Sequence, residues 1–272
     1  MEQKKIAFIG AGNMAFAIIA GLVKSGYPAE KIIACNKSNQ ARREQLRTMG
    51  IGVDFTNRQA VEQAEVIILA VKPQMMAEVC QEFADIDFQH KWVISVAAGM
   101  NIARLTSLLP SAHHIIRTMP NTPALVGEGM TGLFAEKSVN PAACQFAENL
   151  LNAVGQCYWV EQEAHLNQII AITGSSPAYF FKFMEAMQQS AMQMGFSEAD
   201  ARSLVQSVAL GAAKMVVANP ELTLATLREN VTSKGGTTAQ ALAVFDTYQL
   251  PTIVDEAMKA AIQRAEEMEK LL

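Results

Sequence analysis

Residues 5–24 read KIAFIGAGNMAFAIIAGLVK, a short apolar run, a glycine-containing turn and a second apolar stretch. The β-branched and aromatic residues at 5–9 favour a strand that is buried on both faces. Residues 14–24 are compatible with a helix. A strand followed directly by a helix at the start of the chain indicates an α/β fold.

The same alternation of strand and helix continues to about residue 160. Helix-compatible segments at 39–49 and 75–83 separate further apolar runs that favour strands. These runs lie at residues 31–35, 65–71, 91–96, 114–119 and 156–160. We therefore predict a Rossmann-like, doubly wound parallel sheet over residues 1–160.

After Val160 the sequence favours helices only. Residues 161–195, 197–218, 222–230 and 238–272 are rich in Ala, Met, Leu and Gln. We predict an all-helical second domain over residues 161–272. An apolar stripe at helical spacing suits either a core within the chain or a contact with a second subunit. It comprises Met184, Met187, Ala191 and Met194.

Composition excludes several functional classes for this chain of 272 residues. The formal net charge of −4 and the absence of a basic block argue against nucleic-acid binding. Hydrophobic residues make up 50% of the chain, which is enough for a buried core. No apolar run reaches the length of a signal peptide or a membrane span. We expect a cytoplasmic protein that does not contact membranes.

Four scattered cysteines give no metal-binding or disulfide pattern. Cys35, Cys80, Cys144 and Cys157 form no CxxC pair, and no histidine cluster lies near them. This spacing argues against a zinc site and suggests a reducing compartment.

The turn after the first strand carries a phosphate-binding pattern. Gly10-Ala11-Gly12-Asn13-Met14-Ala15 is a GxGxxA sequence between a predicted strand and a predicted helix. In a dinucleotide fingerprint the first glycine allows the tight turn and the second lets backbone approach a pyrophosphate. The N-terminus of the following helix offers unpaired N–H groups to the phosphates. The sequence therefore predicts a dinucleotide cofactor, against the alternative of a tight structural turn.

The end of the second strand suggests which dinucleotide is bound. NAD-binding domains usually carry an acidic residue here for the ribose diol. This chain has Asn36-Lys37-Ser38 instead, with Arg42 and Arg43 shortly after. An amide, a cation and a hydroxyl suit a 2′-phosphate, so NADPH is favoured and NADH is the weaker possibility. Alternatively, Arg42 and Arg43 only solvate the start of a helix.

Three further turns follow strands at the predicted cofactor edge. Ala70-Val71-Lys72-Pro73 offers a rigid turn, in which Lys72 is a turn residue, a phosphate partner or a catalytic group. Ala97-Ala98-Gly99 leaves room for a flat nicotinamide ring. Asn121 and Thr122, between Pro120 and Pro123, add polar edges.

Two polar segments interrupt the helical domain. Residues 173–179 read TGSSPAY, and residues 230–238 read NVTSKGGTT directly before a long helical stretch. Hydroxyls and exposed amides at a helix N-terminus can receive a carboxylate. A serine- and threonine-rich cap without a ligand is the alternative.

Together these motifs resemble the pyrroline-5-carboxylate reductases over nearly the whole length of the chain. The resemblance is carried, in this order, by Gly10–Ala15, Ala70–Pro73, Met119–Pro123, Gly174–Tyr179 and Val231–Thr238. It implies reduction of 1-pyrroline-5-carboxylate to L-proline with NAD(P)H, the last step of proline biosynthesis, by a dimer or higher homo-oligomer. Ser176 and Lys234 depart from the family pattern, which usually has Gly and often Pro at these positions.

The resemblance also implies roles for individual residues. Gly10, Ala11, Gly12, Asn13 and Met14 would hold the pyrophosphate, and Asn36, Lys37 and Ser38 the adenosine phosphate. The nicotinamide half would lie along Ala70, Val71, Lys72, Pro73, Ala97 and Ala98, and we also assign Asn121 and Asn230 to the cofactor. The substrate would be held by Glu221, Val231, Ser233, Gly235, Gly236, Thr237 and Thr238.

Thr238 is the predicted catalytic residue, hydrogen-bonded to the imine nitrogen. A protonated imine is already electrophilic and needs no strong base, which agrees with the lack of a plausible catalytic histidine. We expect direct hydride transfer to C5 of the imine in a site that orients two rings.

Two alternatives remain open at this point. A β-hydroxyacid dehydrogenase would carry Gly-x-Gly-x-x-x-Lys-x-x-x-Asn, and here Lys182 is followed four residues later by Ala186 instead of Asn. An NADPH-binding regulator without turnover would keep the first motif but would not need the hydroxyl-rich loop.

Overall fold

The chain forms one seven-stranded sheet with helices on its two faces, followed by a series of helices. The computed structural model describes residues 2–271. The strands are β1 Ile6–Ile9, β2 Ile32–Cys35, β3 Val66–Leu69, β4 Trp92–Ser95, β5 His114–Met119, β6 Gly129–Ala135 and β7 Gly155–Trp159. The helices of the sheet region are α1 Asn13–Lys24, α2 Gln40–Thr48, α3 Asn57–Gln63, α4 Met76–Gln81, α5 Ile102–Leu108, α6 Pro141–Leu151 and α7 His165–Ile169. The later helices are α8 Ser176–Gln193, α9 Glu198–Ala218, α10 Leu224–Asn230, α11 Thr237–Thr247 and α12 Leu250–Leu271.

The order of strands in the sheet creates a crevice beside β1. The order is β2-β1-β3-β4-β5-β6-β7, so the chain leaves β1 for β2 on one side and later adds β3 on the other. β1 to β5 are parallel, with Ile6 paired to Ile32 in β2 and to Val66 in β3. Ligands of doubly wound folds bind outside the carboxyl ends of the strands where the order reverses. Here that point is the gap between the turns after β1 and β3.

Two hydrophobic layers hold the sheet, one on each face. Ile6 and Phe8 of β1 pack in one layer and Ala7 and Ile9 in the other, and all four are fully buried. Side chains alternate across a strand, so a strand buried on both faces must be apolar at every position. This explains why the continuous apolar runs in the sequence correctly predict these strands.

The prediction missed β6, and the sheet is mixed rather than wholly parallel. β6 runs antiparallel to β5 and parallel to β7. Its sequence, GMTGLFA, contains two glycines, which weaken a strand pattern. Gly132 is required by packing, because a Cβ there would lie 2.7 Å from Ile169 Cγ2. The contact comes from a helix distant in sequence, so local propensity could not reveal the strand.

The predicted helix over residues 238–272 is two helices. α11 ends at Thr247, and Gln249 takes a left-handed φ of 53° before α12 begins. Similarly, the stretch 161–195 is divided into α7, a π-helical turn at Ile170–Gly174 and α8. The polar segment 173–179, identified above as an interruption of the helical domain, overlaps the end of this turn, whereas no break was predicted within residues 238–272.

The chain divides into two compact units. The sheet unit comprises Met1–Ser175 and Ala261–Leu272, and the helical unit comprises Ser176–Ala260. The predicted domain boundary at 160/161 differs from this division, because α7 and the π-helical turn pack with β5 and β6 and α12 ends in the sheet unit. Across residues 2–271, none of the helices has the length and apolarity needed to cross a membrane.

Candidate functional site

The turn after β1 depends on a glycine at position 10. Gly10 has a φ of +96°, which disfavours a side chain, and its amide donates to Cys35 O of β2 at 3.1 Å. A Cβ on Gly10 would lie 2.7 Å from Ala70 O and 2.9 Å from Val71 Cγ1. The turns after β1 and β3 therefore touch at the floor of the crevice, as the fingerprint predicts.

Gly12 leaves open space above the N-terminus of α1. A Cβ built on Gly12 would meet no heavy atom within 4 Å, although Gly12 is the N-cap of the helix. No side chain caps this end of α1, and its first turn carries no acidic residue. Uncapped N–H groups and the positive end of the helix dipole favour an anion. The residues present here therefore fit a pyrophosphate group, which Gly12 would allow to approach the backbone.

The loop after β2 is shaped by the Asn36 side chain. Asn36 Oδ1 accepts hydrogen bonds from the amides of Ser38 and Asn39, at 3.2 and 3.1 Å. Asn36 Nδ2 donates to Ala11 O at 3.1 Å and so joins this loop to the first turn. The predicted adenosine-phosphate residues are thus brought next to the predicted pyrophosphate residues. Asn36 is engaged in holding the loop, whereas Ser38 is exposed.

The structure distinguishes the two arginines that the sequence left together. The Arg42 guanidinium donates to Asn13 Oδ1 at 2.9 Å and stacks on the Phe16 ring, 3.9 Å from its centroid. Asn13 and Phe16 both lie in the first turn of α1. Arg43 instead pairs with Asp54 at 2.8 Å and lines a cavity of about 480 Å³ together with Asn36 and Lys37. The two arginines therefore contact different parts of the predicted cofactor edge, Arg42 the first turn of α1 and Arg43 the cavity beside the loop after β2.

Two carboxylates neutralise the other cations around this loop. The Arg47 guanidinium, helped by Arg43, holds the pKa of Asp54 below its usual range. Lys37 Nζ pairs with Glu82 Oε1 at 2.5 Å, and Asn57 donates to the other oxygen of Glu82. In this structure the Lys37 side chain is therefore paired with a carboxylate of the protein.

The predicted nicotinamide residues lie on adjacent turns. Ala70 continues the ladder by donating to Ile9 O at 2.8 Å, and Pro73 begins a short helical turn. Ala97 is buried and Ala98 half-buried, at the end of β4. The Lys72 side chain is exposed and, among residues 2–271, makes no salt bridge or side-chain hydrogen bond. It is therefore available as a partner for an anion.

Asn121 has a structural task that the sequence did not reveal. Its Nδ2 donates to Thr173 O and its Oδ1 accepts from the Met130 amide, both at 2.9 Å. This buried side chain connects the end of β5 to the start of β6 and to the π-helical turn. The amide expected to offer a polar edge to the cofactor is occupied by protein groups.

The hydroxyl-rich loop lies in the helical unit, between α10 and α11. Thr232 Oγ1 donates to Arg228 O at 2.6 Å, and the Gly236 amide donates to Ser233 O at 3.0 Å. Gly235 has a φ of +73°, and a Cβ on Gly236 would collide with Ser233 Oγ. The left-handed backbone at position 235 therefore favours glycine, whereas at position 236 rotation of the Ser233 hydroxyl would relieve the closest contact.

This loop presents hydroxyls and helix amides on one exposed surface. Gly236 is the N-cap of α11 and supplies no side-chain cap, while Thr237 and Thr238 form the first helical positions. Both threonines and Ser233 are exposed, as are Asn230 and Val231. Glu221 is exposed in the turn between α9 and α10. N–H and O–H donors of this kind are the groups that a carboxylate site requires, and the substrate role of this loop stays a prediction.

Other candidate chemistry finds no support in the structure. Burial raises the pKa of Cys35 to about 11 and those of Cys80 and Cys157 to about 12, so these thiols stay protonated near neutral pH. Lys182 is 80% exposed on α8 and pairs with Glu185 at 2.9 Å, an ordinary helical ion pair. In the part of the chain that the structure describes, no three His, Cys, Asp or Glu side chains could hold a metal.

Comparisons with known proteins agree for both halves of the chain. Residues 163–268 match the family described as pyrroline-5-carboxylate reductase dimerisation, and residues 5–99 match the family described as NADP oxidoreductase coenzyme F420-dependent. A curated pyrroline-5-carboxylate reductase from Pasteurella multocida is 56% identical over the full length of both chains.

Two solved structures extend the similarity to the whole fold. A pyrroline-5-carboxylate reductase from Coxiella burnetii has a TM-score of 0.91 and 38% identity, covering 98% of this chain and 99% of its own. A Plasmodium falciparum pyrroline carboxylate reductase with NADP bound has a TM-score of 0.88 and 27% identity, covering 99% of each chain. The similarity spans the sheet and the later helices.

Substitution of the two motif glycines by alanine tests the phosphate cradle. We expect Gly12→Ala to keep its stability within about 1 kcal/mol, since the space above Gly12 is open. Its Kd for NADPH should rise about tenfold or more, or about 1.4 kcal/mol, because the methyl group occupies the proposed place of the pyrophosphate. Fluorescence titration with NADPH and thermal unfolding measure the two quantities.

The matched variant Gly10→Ala should lose stability itself. The new methyl group strikes Ala70 backbone atoms, and overpacking of this kind costs about 1–3 kcal/mol. A Gly12→Ala protein that binds NADPH with the affinity of the unmodified chain would show that no phosphate lies above this turn.

Proposed function

The chain belongs to the pyrroline-5-carboxylate reductase family, and from that premise we propose how its residues share the reaction. It is an NAD(P)H-dependent oxidoreductase that reduces 1-pyrroline-5-carboxylate to L-proline. The residues of the sheet unit named above hold the cofactor, and the loop 230–238 of the helical unit holds the substrate. The observation that carries this assignment is the uncapped N-terminus of α11, surrounded by exposed hydroxyls.

NADPH, when bound, supplies the hydride that converts the C=N bond of the imine to the amine of proline. The residues of the chain bind and orient the partners of this transfer. In this proposal, the amides of Thr237 and Thr238 receive the substrate carboxylate, because a helix N-terminus favours an anion. Exposed Ser233 adds a hydroxyl donor to the same surface.

Thr238 Oγ1 forms a hydrogen bond with the ring nitrogen in this arrangement. An aliphatic hydroxyl is too weak an acid to protonate an imine unaided, so Thr238 orients the ring or relays a proton from water. The structure supports this role by leaving the side chain exposed at the second position of α11. Preorganised donors of this kind reduce the barrier without requiring a strong base.

Family membership decides between the alternatives raised by the sequence. A β-hydroxyacid dehydrogenase would need Lys182 in its site, and this side chain is exposed and paired within its own helix. A regulator without turnover would not account for full-length similarity to enzymes.

The exposed apolar side chains of the helical unit support a homo-oligomer. Among the described residues 176–260, only Ala201 and Val205 are buried hydrophobics, whereas Phe180 and Val217 are 68% and 81% exposed. Apolar surface on this scale marks an interface. We propose that a second copy of the chain covers it, in a dimer or a larger assembly. This agrees with the match to a dimerisation family over residues 163–268.

The four cysteines support one further proposal, a reducing, cytoplasmic location. All four are free thiols, and none forms a disulfide in the described structure.

Loss of the Thr238 hydroxyl should reduce turnover. We expect Thr238→Val to lower kcat about a hundredfold, since a single preorganised donor contributes roughly that factor. Thr238→Ser keeps the hydroxyl and should retain most of the activity. Steady-state rates with 1-pyrroline-5-carboxylate and NADPH measure the effect, and equal rates for Thr238→Val and the unmodified chain would exclude Thr238 from the site.

Arg42 should contribute to the preference for NADPH. Removal of a charge-assisted hydrogen bond to a phosphate costs about 1.5–3 kcal/mol, so Arg42→Ala should lower kcat/KM for NADPH about tenfold or more. The value for NADH should change little, because NADH lacks the 2′-phosphate. Arg47→Ala, in which the lost cation faces Glu44 and Asp54 at the exposed end of α2, is the matched control, and a similar loss in both variants would argue against this assignment.

The assembly should depend on the apolar face of α9. Leu204 and Val208 are 54% and 56% exposed, one helical turn apart. We expect Leu204→Glu with Val208→Glu to reduce the molar mass seen by light scattering, because buried charges without partners are costly at an interface. Gln89→Glu, an exposed substitution in the sheet unit, should leave the mass unchanged. A monomeric unmodified chain would contradict the proposal.

A further inference from the structure

An arginine buried in the sheet unit joins three segments that follow or adjoin the predicted cofactor turns. Arg117 of β5 is 2% exposed. Its Nη1 donates to Glu163 Oε1 at 3.1 Å, and its Nη2 donates to Glu269 Oε1 at 2.5 Å. Glu163 precedes α7, and Glu269 lies in the last turn of α12. The guanidinium therefore connects positions 46 and 152 residues away in sequence.

The network extends to the start of α5. Glu163 Oε1 also accepts a hydrogen bond from the Ile102 amide at 2.7 Å. Ile102 is the first residue of α5 and follows the Ala97-Ala98-Gly99 turn closely in sequence. One carboxylate oxygen thus holds both the buried arginine and the backbone that leads out of a predicted nicotinamide turn.

The last turn of α12 lies against a second predicted turn. Leu271 lines a cavity of about 290 Å³ together with Pro73, Gln74 and Met100. Glu269, two residues before Leu271, is held by Arg117 and by Asn167 Nδ2 at 3.1 Å. Asn167 is itself buried. The last turn of α12 is thereby held beside the turn that contains Pro73.

The third turn follows Arg117 directly along β5. Arg117 is four residues before Asn121, whose amide is committed to Thr173 and Met130. Arg117 is therefore linked by hydrogen bonds through Glu163 to the backbone that follows the 97–99 turn, and through Glu269 to the last turn of α12 beside Pro73. It also precedes Asn121 on the same segment of chain. A buried hydrogen-bonded network of this kind fixes geometry, because each of its members would be costly to leave unpaired.

We propose that Arg117, through Glu163 and Glu269, is a positioning residue that fixes the turns around the nicotinamide ring for hydride transfer. This inference rests on the proposed function, because it takes the turns at 70–73 and 97–99 to lie along the nicotinamide half. The pyrophosphate and adenosine sites are assigned to the turns after β1 and β2, and among the described residues none of the side-chain hydrogen bonds of Arg117, Glu163 and Glu269 reaches those turns. Loss of the network should therefore affect turnover more than cofactor affinity, since small displacements of reacting groups reduce rates strongly.

Carboxylate variants test the proposal without removing the buried cation. We expect Glu163→Ala to lower kcat about tenfold to a hundredfold while the Kd for NADPH, from fluorescence titration without imine, changes less than threefold. Glu163→Gln keeps an oxygen that can accept from Arg117 and Ile102 and should recover most of kcat. Glu161→Ala is the matched control, because Glu161 is exposed two residues earlier and lies outside the network.

Glu269→Ala and Glu266→Ala form a second pair, on α12. Glu266 is exposed on the same helix and should behave like the unmodified chain. If Glu163→Ala does not fold, the Glu269 pair provides the same comparison at the other end of Arg117. Thermal unfolding must show each variant to be folded at the assay temperature, so that a fall in kcat does not simply report unfolded protein.

Amide hydrogen exchange gives a readout that is independent of activity. The Ile102 amide should exchange faster in Glu163→Ala than in Glu161→Ala, and residues 97–101 should lose protection with it. Unchanged kcat in folded Glu163→Ala and Glu269→Ala would overturn the positioning role, as would parallel losses of kcat and NADPH affinity. If the unmodified chain binds NADPH but does not reduce the imine, the proposed function fails, whereas the exchange result still reports on the network.

Discussion

The close approach of two backbone turns is the constraint on which the cofactor site depends. Gly10 lies so near Ala70 that a single methyl group at position 10 would collide with the backbone after β3. This contact is possible because β1 and β3 are neighbours in the sheet, with Ile9 opposite Leu69. The chain then enters α1 with open space above Gly12 and without a side-chain cap on the helix N-terminus. The predicted phosphate cradle therefore depends on the close packing of the turn after β1 against the turn after β3.

The two sites use the same physical device in different ways. Both place a glycine at the N-cap of a helix, Gly12 before α1 and Gly236 before α11, and neither helix has a side-chain cap. In the sheet unit the surrounding core is complete, and the cradle is held by strands that are buried on both faces. In the helical unit few apolar side chains are buried within one chain. We propose that a second copy of the chain covers this surface, whereas the strands that hold the cradle are buried within one chain.

Polar side chains with long-range partners arrange the turns around these cradles. Asn36, Asn121 and Arg117 each hold backbone or side chains from another element, and each would be costly to leave unpaired when buried or partly buried. Asn36 and Asn121 were predicted as cofactor residues because they follow strands at the right edge of the sheet. Both residues lie at this edge of the sheet, but their side-chain amides are hydrogen-bonded to other loops of the protein. The sequence did not indicate a role for Arg117, because the partners of a single cation within an apolar strand cannot be identified from the sequence alone.

The sequence by itself determined the class of fold, the cofactor motif and the loop rich in hydroxyls, because each depends on residues adjacent along the chain. Continuous apolar runs predict strands buried on both faces, and glycines between a strand and a helix predict the phosphate turn. Only the tertiary structure decided the antiparallel β6, the separation of Arg42 from Arg43 and the linkage of Arg117 to Glu163 and Glu269. These features depend on groups that are distant in sequence and meet only when the sheet has formed, so no local pattern could specify them.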